Sequence, residues 1–396
     1  MNAIPKYLAQ YAEPEARGCL AATWSQSWEQ VLVVPAYGES PEVLENLNQY
    51  SNTLLVLVLN HPDTDANSQR NDELRDHLKA FSEQQHIADA NARLKQLPRG
   101  NHVLVVERPA ALPAVEGVGL ARKLGCDLAL ALIANGHIHS SWIHCSDADA
   151  KLPRDYFQAA STEQGAAALT YPFTHIPPQD PREHTAIELY ESYLRSYVVG
   201  LHKAGSPYAF HTIGSCIAVN AQAYAQVRGF PRRAAGEDFY LLNKVAKLGP
   251  VITPRCTPLS LSARLSRRVP FGTGPALSQL LARETLSDLA YFYNPRCYEA
   301  LAAVLSYVEG FGDPDLQSQD FERALENHTE LFSALRQLGL ERFLAHAKKQ
   351  CSDKDAFVKQ FHQWLDGFKT LKLIHALTAQ WPKVTEAEAC AGSARR

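Results

Sequence analysis

Residues 142–150 read WIHCSDADA, in which a short apolar run is followed directly by two aspartates, Asp147 and Asp149. Such a run, ending at polar turn residues, is typical of a buried strand. Two carboxylates at positions i and i+2 of a turn can face one hard cation, and the small Ala148 between them leaves room for a diphosphate. The stretch therefore predicts a strand that ends in a metal-binding turn, with Asp147 and Asp149 as ligands.

Similar apolar runs precede this stretch at residues 31–36, 54–59 and 103–106. Each is short and lacks clean alternation, which is typical of strands covered on both faces of a parallel sheet. Helices are predicted between them at 41–50, within 71–97, and at 117–134, where leucines recur every fourth residue. Strands that alternate with helices indicate a doubly wound, Rossmann-like α/β sheet, which binds ligands at the carboxyl ends of its strands.

The second half of the chain continues this pattern and then becomes helical. Strands are predicted at 166–173 and 212–219, and helices near 183–204 and at 221–227 and 237–248. From residue 275 onward the predicted elements are helices, at 277–293, 298–307, 321–338 and 355–377. We therefore predict an N-terminal extension (1–30), an α/β domain (31–274), a mostly helical C-terminal region (275–385) and a flexible tail (386–396).

Bulk composition limits the function without identifying it. Of the 396 residues, 46% are hydrophobic and 20% are charged, as in ordinary globular proteins. The formal net charge of −3 gives no overall basic field, so no nucleic-acid partner is expected. No signal-peptide pattern opens the chain and no run approaches the roughly 18 apolar residues of a membrane helix, so we expect a cytoplasmic protein without a transmembrane segment. The eight cysteines are scattered and are expected to be reduced thiols.

The D-x-D spacing of residues 147–149 also occurs elsewhere in the chain. Asp353 and Asp355 fall at a predicted helix start, where carboxylates cap the backbone, and the 313–315 pair falls in a turn between helices. The pair at 63 and 65 follows a strand and is a real competitor. Order along the chain favours 147–149, because three strand–helix units precede it and a second acidic motif follows about ninety residues later.

That second motif is Gly236-Glu237-Asp238, which opens a predicted helix. A carboxylate in the first helical turn is stabilised by the helix dipole and by capping, so a structural role is one interpretation. The other is catalytic, because a carboxylate can take the proton of an attacking hydroxyl as general base. We favour Asp238 as the base, with Glu237 beside it or in contact with the acceptor.

Taken in order, these stretches resemble family 2 of the glycosyltransferases, which have the nucleotide-sugar-binding GT-A fold. The resemblance rests on VLVVPAYGES (31–40), EGVGLARKLGCDLAL (116–130), SDADA (146–150) and the segment 214–249, GSCIAVNAQAYAQVRGFPRRAAGEDFYLLNKVAKLG. It covers about residues 31–250. It implies a transferase that moves a sugar from a nucleotide-diphosphate donor to an acceptor hydroxyl with Mn²⁺ or Mg²⁺.

The resemblance also implies individual roles. Four residues at the end of the first strand and just after it would line the nucleoside pocket: Pro35, Ala36, Tyr37 and Glu39. Arg122 would approach the nucleotide or its phosphates, Asp147 the ribose or the metal, and Asp149 the metal. Asp238 would be the base of a single displacement that inverts the anomeric centre. For Tyr37, Glu39 and Arg122 the structural alternatives are packing, helix capping and a solvated helix position.

Several positions depart from the family pattern. Asn60 and His61 stand where an acidic residue usually holds the base, so the identity of the base stays open. Gly38 and Lys123 each replace a usual asparagine. The Q-x-x-R-W signature of processive synthases is absent from the sequence, which favours one sugar per acceptor.

A Ser-, Gly- and Pro-rich segment beyond residue 249 carries several arginines: Arg255, Arg264, Arg267 and Arg268. Arginine forks suit phosphate, and a loop of this kind can close over a diphosphate or grip an anionic acceptor. We therefore assign Arg267 and Arg268 to nucleotide-sugar binding, with a solvated basic loop as the alternative.

Other functions stay open at this stage. A retaining transferase of the same fold would use the same donor. A degenerate domain that only binds a nucleotide sugar would explain the departures at positions 38, 60 and 123. A nucleotidyltransferase is disfavoured because no Gly-rich basic loop follows the first strand. The C-terminal helices are expected either to shape the acceptor side or to form a homodimer contact.

Overall fold

The computed structural model describes residues 2–65, 68–265, 272–326 and 328–393. The chain divides into two compact units. The sheet unit comprises Met1–Pro178 and Thr212–Ala276, and the helical unit comprises Gln179–His211 and Leu277–Arg396. Residues 179–211, which the sequence pattern assigns to the α/β domain, thus belong to the helical unit, because their long helix packs on the C-terminal helices.

The strands in the described part of the chain are β1 Gln30–Ala36, β2 Thr53–Leu59, β3 Glu83–Ile87, β4 Ala92–Gln96, β5 His102–Glu107, β6 Trp142–Cys145, β7 Ala168–Thr170, β8 Phe173–His175, β9 Ile217–Asn220, β10 Val251–Ile252 and β11 Leu259–Leu261. One sheet has the order β10-β7-β9-β6-β1-β2-β5-β4-β3, and β8 pairs with β11. The central strands β6, β1, β2 and β5 are parallel. The predicted α/β class, with flanking helices and a helical C-terminal region, is confirmed.

The helices are α1 Ile4–Gln10, α2 Pro14–Ala21, α3 Asp72–Lys79, α4 Gly117–Ala134, α5 Tyr156–Ser161, α6 Pro181–Lys203, α7 Ala221–Gln226, α8 Glu237–Val245, α9 Thr273–Leu281, α10 Pro295–Phe311, α11 Ser318–Ala324, α12 Thr329–Gln337, α13 Leu340–Gln350, α14 Lys354–Trp364, α15 Gly367–Leu377 and α16 Glu386–Ser393. Helix α4 has the predicted bounds. It is buried on nearly all sides, because it packs on β1 and β2 and is covered by α1 and α2.

The strand register brings two turns to one edge of the sheet. Val33 of β1 pairs with Cys145 of β6, and the Ser146 N–H donates to the Val33 carbonyl at 3.0 Å. On its other side β1 pairs with β2 in parallel, so that Ala36 lies opposite Leu59. The turns that follow these strands therefore leave at the carboxyl edge, where sheets of this type bind ligands.

A polar helix is predicted somewhere within 71–97, and the structure has one there. Residues 72–79 form α3, but β3 and β4 then form an antiparallel hairpin that extends the sheet beyond β5. The turn of the hairpin places Asn91 at φ 49°, a left-handed conformation that asparagine tolerates. Burial alternates along β4, as expected for a strand with one face on the core. The predicted helix 41–50 is a 3₁₀ helix, Pro41–Gln49.

The first thirty residues are not an appendage, because α1 and α2 pack on α4 around a buried charge cluster. Asp127 accepts from the hydroxyl groups of Tyr7 and Tyr224, at 2.6 and 2.8 Å, and from the Lys123 ammonium at 2.6 Å. Burial raises the pKa of Asp127, and Lys123 opposes this shift. Lys123, a departure from the family pattern, is therefore a structural residue that ties α4 to α1.

In the helical unit, some helices end and begin at residues other than those predicted. The predicted helix 355–377 is two helices, because Asp366 caps α15 by accepting from the Lys369 N–H at 3.2 Å. Asp353 caps α14 through the Ala356 N–H at 2.9 Å, as predicted for that D-x-D pair. The Asp313–Asp315 pair lies in the predicted turn between α10 and α11.

The ends of other predicted helices also shift. In place of the predicted helix 277–293 the structure has only α9, and the predicted helix 321–338 is divided into α11 and α12. The tail predicted to be flexible contains α16, since Glu388 accepts from the Thr385 N–H at 2.9 Å and so closes its first turn. Within the described residues, no helix is both long and apolar enough to cross a membrane.

Candidate active site

Arg122 of α4 joins the two acidic motifs. Its Nε donates to Oε1 of Glu237 at 2.8 Å, its Nη1 donates to the Ser146 carbonyl at 3.4 Å, and its Nη2 contacts Oδ1 of Asp147. Asp147 lies in the turn after β6, and Glu237 lies in the first turn of α8. Motifs about ninety residues apart in the sequence therefore meet at one guanidinium group.

The environment of Arg122 keeps it positively charged. The residue is 3% exposed. This burial disfavours the cation, but the carboxylates of Asp147 and Glu237 more than offset it, and the pKa of Arg122 is raised above its ordinary value. The resemblance implied that Arg122 approaches the nucleotide. In the structure its guanidinium contacts two carboxylates and a carbonyl, and a role of Arg122 at the nucleotide stays a prediction.

A second arginine, Arg264, lies against the other aspartate of the turn. Its Nε is 2.9 Å from Oδ2 of Asp149, and its two Nη atoms form a bidentate pair with Glu39 at 2.6 and 3.0 Å. Burial and the neighbouring Asp147 raise the pKa of Asp149 to about 6, while Arg264 acts in the opposite direction. The Glu39 side chain, implied to line the nucleoside pocket, is thus an ion-pair partner of Arg264.

Glu237 and Asp238 begin α8 but differ in their contacts. The Glu237 carboxylate is buried against Arg122. Asp238 accepts the Phe239 N–H at 2.7 Å and takes part in no ion pair within the described part of the chain. Burial, followed by the charge of Glu237, raises the pKa of Asp238 to about 7. Asp238 is therefore a carboxylate that can both accept and release a proton near neutral pH.

The competing aspartates at 63 and 65 have other partners. Oδ1 of Asp63 accepts the Ala114 N–H at 2.9 Å. Oδ2 of Asp65 is 2.8 Å from Nε of Arg70 and also contacts the Tyr37 hydroxyl. These two carboxylates therefore hold loops together, and the choice of Asp147 and Asp149 as the metal-binding pair stays a prediction.

The donor set of the 147–149 turn fits a hard divalent cation. Mg²⁺ and Mn²⁺ prefer oxygen ligands, and Mg²⁺ commonly uses one or two carboxylates together with phosphates and water. The guanidinium of Arg264 already lies against Asp149, so the turn accommodates a positive charge. Among the described residues, no group of three or more His, Cys, Asp or Glu side chains could hold a metal ion. Phosphate and water oxygens commonly complete the coordination of such an ion.

The residues implied to line the nucleoside pocket lie at the end of β1 and just after it. Ala36 is only 1% exposed, so it can offer a ligand little except its backbone. Pro35 is partly exposed, and the Tyr37 ring has the Arg70 guanidinium above it at 5.8 Å. Gly38 has a φ of +61°, a left-handed conformation that glycine adopts without steric strain.

Some site residues were missed by the sequence analysis. The buried Asn71 accepts the Gly38 N–H at 2.8 Å and donates to the Asn60 carbonyl at 2.9 Å, so it ties together the turns after β1 and β2. An asparagine just before an acidic helix start is a common cap, and nothing in the sequence marks this additional role. Arg267 and Arg268 lie outside the described residues.

No protein-family model and no curated protein matches the chain. Among solved structures, the chain is similar to a mannosyltransferase from Pyrobaculum calidifontis in complex with GDP-Man and Mn²⁺. The two chains are 16% identical, the TM-score is 0.35, and the match covers 92% of this chain and 94% of the other. Similarity this low does not determine the activity of the chain, and its membership of family 2 stays a prediction.

Proposed function

We propose that this chain is a glycosyltransferase that moves a sugar from a nucleoside-diphosphate donor to an acceptor hydroxyl. The proposed reaction inverts the anomeric carbon, adds one sugar per acceptor and uses Mn²⁺ or Mg²⁺. The observation that carries the proposal is the Arg122 guanidinium, which binds Asp147 of one acidic motif and Glu237 of the other. This contact brings a candidate metal-binding turn and a candidate base to the carboxyl edge of parallel strands, where nucleotides bind in α/β sheets.

Asp147 and Asp149 would hold the cation. When bound, a divalent cation neutralises the charge that develops on a departing nucleoside diphosphate. Arg122 orients the Asp147 carboxylate from the protein side, and its own position is fixed by Glu237 and the Ser146 carbonyl. Orientation set before the donor arrives lowers the cost of organising the site.

Asp238 is the proposed general base. The acceptor oxygen attacks the anomeric carbon and loses its proton to the Asp238 carboxylate, while the bond from that carbon to the diphosphate oxygen breaks. A base is most efficient when its pKa is close to the working pH, and the pKa of Asp238 is raised to about 7. Glu237 is already bound to Arg122, and we assign it a positioning role.

The proposal is tested with purified protein, Mn²⁺ and a panel of UDP- and GDP-sugars. Release of UDP or GDP is followed with and without candidate acceptors, and the anomeric configuration of any product is read by NMR. We expect turnover by the wild-type chain. Asp149→Asn and Asp238→Asn should each lower kcat by about 10²-fold or more, because each removes a charge needed in the transition state.

Asp315→Asn is the matched control, since it removes an exposed aspartate with the same D-x-D spacing, and it should leave turnover unchanged. Tight nucleotide binding without turnover of any donor in the panel would instead identify a binding module. A product with retained configuration would overturn the assignment of Asp238.

A further inference from the structure

Arg264 lies against one of the two proposed metal ligands. Its guanidinium contacts Asp149, a proposed metal ligand, and forms a two-pronged pair with Glu39. The Glu39 side chain is only 9% exposed and that of Asp149 29% exposed, whereas that of Arg264 is 40% exposed. The two carboxylates are thus held by the fold, and their counter-charge comes from a side chain at the surface.

The segment that carries Arg264 is anchored beside the acidic turn. Lys151, which directly follows that turn, exchanges two backbone hydrogen bonds with Ser260 of β11, at 2.8 and 3.0 Å. Arg264 comes three residues after β11 ends. Three extended residues span up to about 10 Å, so the guanidinium can change partners while β11 stays in place.

We infer that Arg264 is an internal counter-cation of the donor site. In the ligand-free chain it neutralises Asp149 and Glu39, and it moves to the diphosphate when a divalent cation takes its place on Asp149. The inference rests on the proposed function and extends it by naming the residue that links metal binding to recognition of the diphosphate.

Charge and geometry support this exchange of partners. A divalent cation on Asp149 repels a guanidinium group that is bound to the same carboxylate. A diphosphate brings several acceptor oxygens, which a guanidinium fork binds in bidentate fashion just as it binds Glu39. The cation and the diphosphate together therefore replace both contacts that hold Arg264.

The test compares wild type with Arg264→Gln and uses two probes. Binding of Mn²⁺ alone is followed by the loss of the EPR signal of the free ion. Binding of UDP and of GDP at saturating Mn²⁺ is measured by calorimetry. We expect Arg264→Gln to bind Mn²⁺ roughly three- to tenfold more tightly than wild type, because a competing cation is gone. We expect it to bind whichever of UDP and GDP has the higher affinity for wild type more weakly, by a similar factor. A merely structural residue would not shift the two affinities in opposite directions.

Arg93→Gln is the matched control, because it removes another exposed arginine with a carboxylate partner, Glu83 on the β3–β4 hairpin. It should change neither affinity, and Arg264→Lys should restore competition with Mn²⁺. Equal Mn²⁺ affinity in wild type and Arg264→Gln, or equal nucleotide affinity, overturns the inference while the proposed function stands. If wild type and Arg264→Gln bind no Mn²⁺ even with UDP or GDP present, the proposed function fails as well.

Discussion

Asp238 and Glu237 are neighbours on the first turn of α8, and Arg122 makes them different. The carboxylate of Glu237 is satisfied by a buried guanidinium. Asp238 accepts the Phe239 N–H, and burial together with the nearby negative charge of Glu237 raises the pKa of Asp238 to about 7. One arginine thus determines which of two adjacent acids is suited to accept a proton.

The raised pKa of Asp238 predicts a pH dependence of both activity and stability. Activity should rise as pH increases through about 7, because only the ionised carboxylate accepts the acceptor's proton. Stability should change in the opposite direction. The folded-state pKa lies above the ordinary aspartate value, so the contribution of Asp238 to stability is complete below that value and is lost as pH rises through about 7.

Asp238→Asn, which lowers turnover, should therefore gain stability relative to wild type, more at pH 8 than at pH 5. A gain larger by roughly 1–3 kcal/mol at the higher pH is expected, measured by urea unfolding at both values. Asp315→Asn serves as the control and should show no such difference between the two pH values. A gain that is equal at both pH values would refute the assigned pKa.

The acidic motifs themselves were predictable from the sequence, because both are local patterns. One is a D-x-D pair directly after a strand, and the other is a Glu-Asp pair at the start of a helix. The contacts that make them a site were not. Arg122 meets Glu237 across 115 residues, and Arg264 meets Glu39 across 225. Such pairs depend on how α4 and β11 are placed by the whole sheet, and no local spacing encodes that placement.

At the scale of elements, α4 sets the position of Arg122 through its close approach to the sheet. A Cβ atom at Gly125 would lie 2.5 Å from Cγ1 of Val33 and 3.0 Å from Cγ2 of Val58. Only glycine lets the helix lie this close to β1 and β2. The same contact fixes the distance from Arg122, one turn earlier on α4, to the strand ends.

Gly125→Ala should therefore destabilise the sheet unit by about 1–3 kcal/mol, because the added methyl group forces the helix away from Val33. It should also lower activity, since Arg122 moves with the helix. The measurements are urea unfolding and turnover with the best donor of the panel. Gly310→Ala on α10 is the control: a Cβ there meets no atom within 4 Å, and the change should stabilise the protein by roughly 0.5–1 kcal/mol. Equal effects of the two substitutions would contradict the packing argument.

The same helix shows why some elements could be predicted and others could not. Leucines at every fourth position predicted α4 with the bounds that the structure has, because a helix that is buried on most sides has a strong apolar signal. The β3–β4 hairpin carries EQQHI and ARLKQ, which have few apolar residues. It forms a strand pair because the edge of β5 is available to it, which is a tertiary cause.

At the scale of the whole chain, the N-terminal helices complete the sheet unit. Glu13 and Glu15 of this segment pair with Arg108 at 2.8 and 2.7 Å, and Tyr7 donates to the buried Asp127. Without α1 and α2, Arg108 would lose both of its glutamate partners and Asp127 would lose the Tyr7 hydroxyl donor. The sequence did not reveal this, because the first thirty residues lack a strand run or motif.

Deletion of residues 2–22 should consequently destabilise the sheet unit rather than trim an appendage. Breaking a buried charge pair by removing one partner costs about 3–5 kcal/mol, which for a unit of this size lowers the melting temperature by roughly 10 °C. Tyr7→Phe, which removes one hydroxyl that donates to Asp127, should lower it in the same direction by a smaller amount. The first transition in a calorimetric scan gives both values. Because Arg122 and Lys123 are adjacent on α4, the deletion should also weaken donor binding. A truncated chain with unchanged melting temperature and unchanged donor affinity would show that α1 and α2 are dispensable.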